Sequence, residues 1–417
     1  MTQPYLFVFG RHPVLSLAEL LAYACAQQRA VSSPVMIGAV AITTADLERP
    51  ETLPSELAGL VKIAASQPPL SRPNNIGDWV KILEPLLMKS LSPKSTLTFG
   101  LSFYGAPQHR PSTSDEQRLA LILKKNLRAS AGHVRWVNGQ GRPLSSVQVE
   151  KNGLTRPGGC ELVVVCQATE VFLGKTLNVQ PYQDWSERDY GRPRRNMVQG
   201  MLPPKLARLM VNLLGLAPSG TLLDPFCGSG TILAEAMAVG WQDVIGADEN
   251  KRAIHDSEEN LNWLAQRHTA GKLITTSQPL PLPRLLACPI KVLPESLNAG
   301  SIQAIVTEPF LGPPLSRPVT ELEFRRLSRQ LLTLYHSTLE SFAKLLAVNG
   351  RAVFVLPHWM TATGKRLALP IFDEPLPCSL RRVDPLAAVP SLRGTPLIYS
   401  RPNQYVVREL AVLEKIS

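Results

Sequence analysis

Long apolar runs are missing from this chain. No stretch of eighteen consecutive apolar residues occurs in its 417 positions, so no membrane-spanning helix is expected. The opening MTQPYLFVFGRHP has neither a basic flank nor a small-residue cleavage site, so no signal peptide is expected. Cysteine is sparse: the six, at positions 25, 160, 166, 227, 288 and 378, form no CxxC pair. That spacing argues against zinc or another metal centre, against a disulfide framework, and for a reducing, cytoplasmic setting. Acid is also scarce where base is plentiful. The net charge is +11, and residues 101–210 hold 16 Lys/Arg against 8 Asp/Glu. A basic block of that size attracts polyanions.

The length allows two or three domains with sizeable cores. Residues 5–10 read as a strand. Leu17–Gln27 reads as a helix with Ser16 as N-cap and Glu19 completing a capping box. Val35–Thr43 is a strand, and Leu53–Ala65 is a helix followed by a short apolar run. This β-α-β-α(β) order suits a small ferredoxin-like α+β domain over residues 1–74, closed by Pro68, Pro69, Pro73 and Asn74-Asn75. Residues 75–180 repeat an α/β order: helices at Asp78–Ser90 and Asp115–Ala129, strands at Leu97–Tyr104 and Gly132–Val137, a short helix within Leu144–Leu154, then strands Glu161–Ala168 and Val171–Leu177. Lys124, Lys125, Arg128, Arg135 and Lys151 are its candidate nucleic-acid contacts. Residues 181–200 read as a charged linker without periodicity. There Arg192, Arg194 and Arg195 stand beside Tyr190, a pairing of guanidinium forks and an aromatic face that suits phosphates and bases.

Residues 201–417 carry the chemistry. Thr221-Leu222-Leu223 is an apolar run that ends at Asp224-Pro225, where proline forces a turn. Gly228-Ser229-Gly230 follows, then a helix from Thr231 to Val239 stopped by Gly240. A second buried strand, Val244–Ala247, ends at Asp248-Glu249. This is one half of a doubly wound α/β sheet, whose ligands sit outside the carboxyl ends of the strands. The turn is not GxGxxG and has no lysine, which disfavours a dinucleotide or a nucleotide phosphate. Leu286–Val292 is expected as the third strand and Ile302–Val306 as the fourth, ending in Glu308-Pro309-Phe310. After the helix Glu321–Leu346 come strands at Arg351–Leu356 and Tyr405–Leu410.

Asp-Pro-Phe-x-Gly-Ser-Gly-Thr resembles the first motif of S-adenosylmethionine-dependent amino-methyltransferases. Ser-Ser-x-Gln-Val-x-Lys-Asn, in a small module with a basic helix, resembles THUMP domains, which present RNA to modification enzymes. With YLFVFGRHPVLSLAELLA, RDYGRPRRNMVQGMLPPKLARLMVNL and LIYSRPNQYVVREL, the chain resembles the archaeal and eukaryotic tRNA guanosine N2-methyltransferases acting at position 10, over nearly its full length. The resemblance implies a Rossmann-like domain with a seven-stranded, mostly parallel sheet, preceded by ferredoxin-like and THUMP domains. It implies S-adenosylmethionine as cofactor, held by Asp224, Phe226, Gly228, Gly230, Thr231, Asp248 and Glu249, and tRNA as partner. Glu308, Pro309 and Phe310 would face the target base. An acid and a backbone carbonyl there can each accept one amine hydrogen, and an aromatic can stack on the base. Against the family pattern Thr-Asp-Pro-Pro-Tyr-Gly, this chain reads Thr-Glu-Pro-Phe-Leu-Gly, and the third-strand acid is absent. Three other readings stay open at this point: a DNA adenine or cytosine N-methyltransferase, a protein-glutamine methyltransferase, and an RNA-binding subunit that has lost turnover. A small activating protein subunit, and a monomer or homodimer, are compatible with all of this.

Overall fold

The computed structural model describes residues 3–91, 96–195, 201–269 and 280–417. Residues 196–200 of the expected linker, and residues 270–279, lie outside the described residues. Two compact units divide the chain: residues 1–16 with 29–182, and residues 17–28 with 183–417.

The first unit contains β1 (Gln3–Phe9), the first residues of α1 (Pro13–Ala26), β2 (Val35–Ile37), β3 (Val40–Ala45), α2 (Leu53–Glu56), β4 (Leu60–Ser66) and β5 (Leu70–Ser71). It continues through α3 (Ile76–Met88), β6 (Thr96–Gly105), α4 (Thr113–Leu127), β7 (His133–Val137), α5 (Ser146–Lys151), β8 (Gly159–Cys166) and β9 (Glu170–Val179). Its strands form one sheet in the order β2-β3-β1-β4-β9-β8-β6-β7, with β5 on the end of β9. The expected boundary at residue 74 therefore falls inside a unit whose sheet is continuous, joined where β4 runs antiparallel to β9. β8 is buried on both faces, as suits the apolar run Leu162–Cys166. One face packs on Leu83 and Leu87 of α3 and Leu119 and Leu123 of α4. A charged cluster ties the join. Lys62 of β4 pairs with Glu161 of β8, both fully buried. Ser102 of β6 and Thr176 of β9 donate to the same carboxylate at 2.6 and 2.7 Å.

Ser16 is not the cap expected of it. α1 starts at Pro13, a residue suited to a first helical turn because its missing N–H needs no partner there. Ser16 therefore lies inside the helix and donates to the His12 carbonyl at 2.8 Å. Glu19 is buried and accepts from Asn212 at 2.8 Å.

The second unit takes the rest of α1 and continues with α6 (Tyr182–Tyr190) and α7 (Pro204–Leu213). Then come β10 (Thr221–Asp224), α8 (Thr231–Val239), β11 (Asp243–Ala247), α9 (Lys251–Thr269), β12 (Arg284–Leu286), α10 (Leu293–Ser296), β13 (Ile302–Thr307) and α11 (Glu321–Leu345). β14 (Leu346–Met360), β15 (Arg366–Ala368), β16 (Leu380–Val383), β17 (Leu397–Tyr399) and β18 (Val406–Lys415) complete it. The sheet runs β12-β11-β10-β13-β14-β18-β16, with β15 on β14 and β17 on β18. β12 through β14 are parallel, and β18 enters antiparallel to β14. Strand order reverses at β10, between β11 and β13, which opens a crevice at their carboxyl ends. The third strand lies earlier than expected. Pro289 follows it closely, and Ile290–Val292 curls into a single tight helical turn. The core beneath the crevice joins Leu223, Ile305 and Phe354 of the sheet to Tyr335, Leu339 and Phe342 of α11. Among the described residues no helix is long and apolar enough to cross a membrane.

Candidate active site

A cavity of about 790 Å³ opens at the carboxyl ends of β10, β11 and β13. Asp224, the last residue of β10, forms its floor. It is almost wholly buried. Its Oδ1 accepts from the Thr307 hydroxyl at 2.6 Å and the Phe226 N–H at 3.1 Å. Burial raises the carboxyl, those two hydrogen bonds lower it, and the nearby acids Asp248 and Glu308 raise it again, for a value of about 7. No cation pairs with it among the described residues. A buried carboxyl without a counter-ion, open to a cavity, suits a cationic group on a ligand.

The glycine turn makes one wall. Gly230 has φ +82° and caps α8; a Cβ there would meet the Ser257 hydroxyl at 2.9 Å. Only glycine takes that conformation in that space without strain. Asp248 does not line the cavity. One of its carboxylate oxygens accepts from the Gly228 N–H at 3.0 Å and the other from the Asn250 N–H at 2.8 Å. It thus splints the turn to the start of α9, which uses two of the carboxylate's about four lone-pair sites. Glu249, expected at the pocket, is exposed outside its lining. Asp224, Phe226, Gly228 and Thr231 do line it, and so does Glu308. The sequence reading missed Asn250, Ala253 and Asp256, which line the wall opposite. The signal for them was positional, since the first turns of the helix after β11 must face the crevice. Cys227 is buried, and burial with Asp224 and Asp248 close by pushes its thiol well up. It fills space and is no nucleophile.

Glu308 follows β13 and points its carboxylate at β18. Arg408 grips it as a fork, Nε to Oε2 at 2.6 Å and Nη2 to Oε1 at 3.0 Å. Burial works against the Arg408 charge, but the fork more than offsets it and holds the guanidinium above its usual value. Pro309 is buried, and Phe310 is 59% exposed. The three residues are therefore contiguous on the crevice rim, and only Glu308 reaches the cavity lining.

The expected open arginine cluster is corrected. Residues 182–190 form the helix α6, and Arg188 of α6, Arg192 and Arg194 after it and Arg208 of α7 hold groups of the second unit itself. Arg188 and Arg208 both bind the buried Glu235, at 2.7 and 3.0 Å, and Arg188 stacks 4.0 Å from the centre of the Trp185 ring. Arg192 is buried and donates to the Thr231 hydroxyl at 2.6 Å. Arg194 forks onto Glu259 at 2.6 and 2.7 Å. Charged residues without periodicity read as linker because their carboxylate partners lie dozens of residues away. Of Arg192, Arg194 and Arg195, only Arg195 has no ion pair or hydrogen bond among the described residues; it lies 6.0 Å from the Tyr190 ring, on the cavity wall. In the first unit, Lys125 and Arg128 are exposed at the end of α4, and Lys124 beside them is half-buried. Arg135 is exposed on the edge strand β7, and Lys151 is exposed in the last turn of α5.

Residues 192–278 match the model of the RMKL-like methyltransferase domain family. The chain is 29% identical to the tRNA (guanine(10)-N2)-dimethyltransferase of Methanocaldococcus jannaschii over 207 residues, 50% of this chain and 52% of that protein. It is 34% identical to the protein of the same name from Methanothermobacter thermautotrophicus over 161 residues, 39% of this chain and 40% of that protein. The chain thus spans about half the length, or less, of the curated relatives it matches. The crystal structure of TrmN from Thermus thermophilus superposes at a TM-score of 0.53 with 18% identity, covering 100% of both chains. That likeness shows an α/β methyltransferase-like fold. The matched segment contains α8, the glycine turn and the Asp248 splint, all parts of the cavity built above. Through residues 192–278 the chain is similar to the RMKL-like methyltransferase domain family.

Proposed function

We propose that the protein is an S-adenosylmethionine-dependent tRNA methyltransferase that methylates the exocyclic N2 of a guanosine, at position 10. The observation that carries this reading is the counter-ion-free carboxyl of Asp224 at the floor of a cavity whose rim bears Glu308. S-adenosylmethionine fits that floor because it carries an ammonium and a sulfonium, and it supplies an activated methyl group. The glycine turn would let its methionine end approach the backbone, and the Asn250–Asp256 wall would take its adenosine.

On the substrate side, Glu308 and the Pro309 carbonyl accept the two hydrogens of the guanine amine. That pulls the nitrogen out of conjugation and aims its lone pair at the methyl. The Arg408 fork is compatible with this role. An ionised carboxylate offers about four lone-pair sites, and the fork uses two. The fork also compensates for a longer side chain, because it fixes a glutamate where the related pattern has the shorter aspartate. Phe310, exposed beside them, stacks on the base. After transfer the nitrogen sheds one proton, which Glu308 is placed to receive.

In this reading residues 1–74 are a ferredoxin-like part and 75–180 a THUMP part that grips tRNA through Lys124, Lys125, Arg128, Arg135 and Lys151. The remainder is a Rossmann-like domain in the cytoplasm. The names of the two archaeal relatives support the substrate and the target atom. The test is methyl transfer from radiolabelled S-adenosylmethionine to unmodified total tRNA, followed by nucleoside analysis. Label in N2-methylguanosine is the expected result; label in another nucleoside, or none, overturns the assignment.

A further inference from the structure

The loop that follows the reactive motif, residues 311–319, lies on α11, and the two enclose a concavity of about 390 Å³. That is within the roughly 300–1,000 Å³ typical of small-ligand pockets. Pro313, Pro314 and Leu315 form one side, and Arg326 and Gln330 of α11 the other. The loop is fastened to the helix. Gly312 takes φ +93°, and a Cβ there would lie 3.8 Å from Leu331 and 4.0 Å from Leu327. The Tyr335 hydroxyl is shared between the carbonyls of Val355 at 3.2 Å and Phe310 at 3.4 Å, which ties the reactive motif to the same helix. The prolines fix their own φ angles, so ordering this wall on binding costs little entropy.

The charges divide cleanly. Four arginines lie between positions 317 and 329. Arg317 pairs with Glu323, the acid of the capping box that starts α11. Arg325 pairs with Glu321 at 3.4 Å. Arg326 and Arg329 are exposed, three residues apart on one helix face, and make no ion pair among the described residues. The fold has no use for these two. Arg326 lines the cavity, and Arg329 precedes Gln330, which lines it too.

We propose that this concavity is a second nucleotide subsite, which takes the nucleotide neighbouring the one methylated. Arg326 and Arg329 bind its phosphate, the Pro313–Leu315 wall takes the face of its base, and the Gln330 amide meets a base edge. A guanidinium fork, a flat apolar wall and an amide together are the chemistry of a nucleotide. The inference rests on the reading that the substrate is RNA.

The test is binding of an unmodified tRNA transcript across a range of salt concentrations, with S-adenosylmethionine affinity measured alongside. The variants are Arg326→Ala/Arg329→Ala, Gln330→Ala, Arg325→Ala, and Lys124→Ala/Lys125→Ala/Arg128→Ala. The Arg326/Arg329 double variant should bind tRNA about tenfold more weakly. Its slope of log affinity against log salt should fall by about 2, with cofactor affinity unchanged. Arg325→Ala, which removes a paired arginine, should change neither by as much. If the α11 double variant keeps wild-type affinity and slope while the α4 triple variant loses both, the subsite is refuted and the RNA reading stands. If the wild type binds no tRNA, the RNA reading fails and the subsite falls with it. If binding depends on α11 but no methyl is transferred, the subsite stands and the catalytic reading fails.

Discussion

Two residues set the chemistry of the site, and each makes a prediction. Asp224 sits at about 7 because it is buried, with acids beside it. Above that pH it is ionised and attracts a cationic cofactor; below it the carboxyl is neutral. Affinity for S-adenosylmethionine should therefore fall as pH drops through about 7, approaching tenfold per unit. Calorimetric titration between pH 8 and 5.5 reads this, and Asp224→Asn should flatten the profile. The same group acts on stability with the opposite sense. Its folded value lies above the unfolded 3.8, so the folded state holds more protons in between. Its contribution to stability is greatest in acid and is lost as pH rises from about 4 to about 7. Glu308→Ala should lower methyl transfer at least about 100-fold with little change in cofactor affinity. It should also destabilise the fold by about 1–3 kcal/mol, because it leaves the half-buried Arg408 fork without a partner. Normal turnover in that variant would remove Glu308 from the mechanism.

At the scale of elements, the glycine turn and α6 decide whether the cavity exists. Gly230→Ala places a side chain in left-handed backbone at 2.9 Å from the Ser257 hydroxyl. The conformational part alone costs about 1–2 kcal/mol. The variant should melt lower and bind cofactor more weakly, since the turn that approaches the ligand must shift. α6 depends on the Glu235 carboxylate, which satisfies two buried arginines at once. Glu235→Ala leaves both unpaired and should cost about 3–5 kcal/mol. Urea unfolding followed by tryptophan fluorescence is a suitable probe, because Trp185 is buried against Arg188. A variant with wild-type stability would mean that α6 is held by its apolar contacts instead.

At the scale of the whole molecule, the described residues form a nine-stranded sheet in each of the two units. The first depends on the β4–β9 join, where Lys62 and Glu161 are buried together. Lys62→Met strands a buried carboxylate and should cost about 3–5 kcal/mol, whereas Lys62→Met with Glu161→Met should recover most of it. Chemical denaturation of the three proteins gives the comparison. If Lys62→Met alone proves neutral, the pair is not what fixes the join.

Local sequence determined a good deal. The glycine turn, the helix after it, the Asp224 and Glu308 positions and the parallel order of β10, β11 and β13 were legible. Each depends on residues within a few positions of one another: a proline that stops a strand, a glycine that takes positive φ, an apolar run of strand length. The tertiary structure decided the rest, and for one physical reason. Whether a charge faces water or a partner depends on groups brought close only by folding. Arg188 needed Glu235, Arg194 needed Glu259, Glu308 needed Arg408, and Lys62 needed Glu161. The same holds for Asp248, whose place at a strand end was readable but whose two oxygens are committed to the backbone of neighbouring turns. It holds for Arg326 and Arg329, which, unlike Arg317 and Arg325, have no glutamate partner among the described residues.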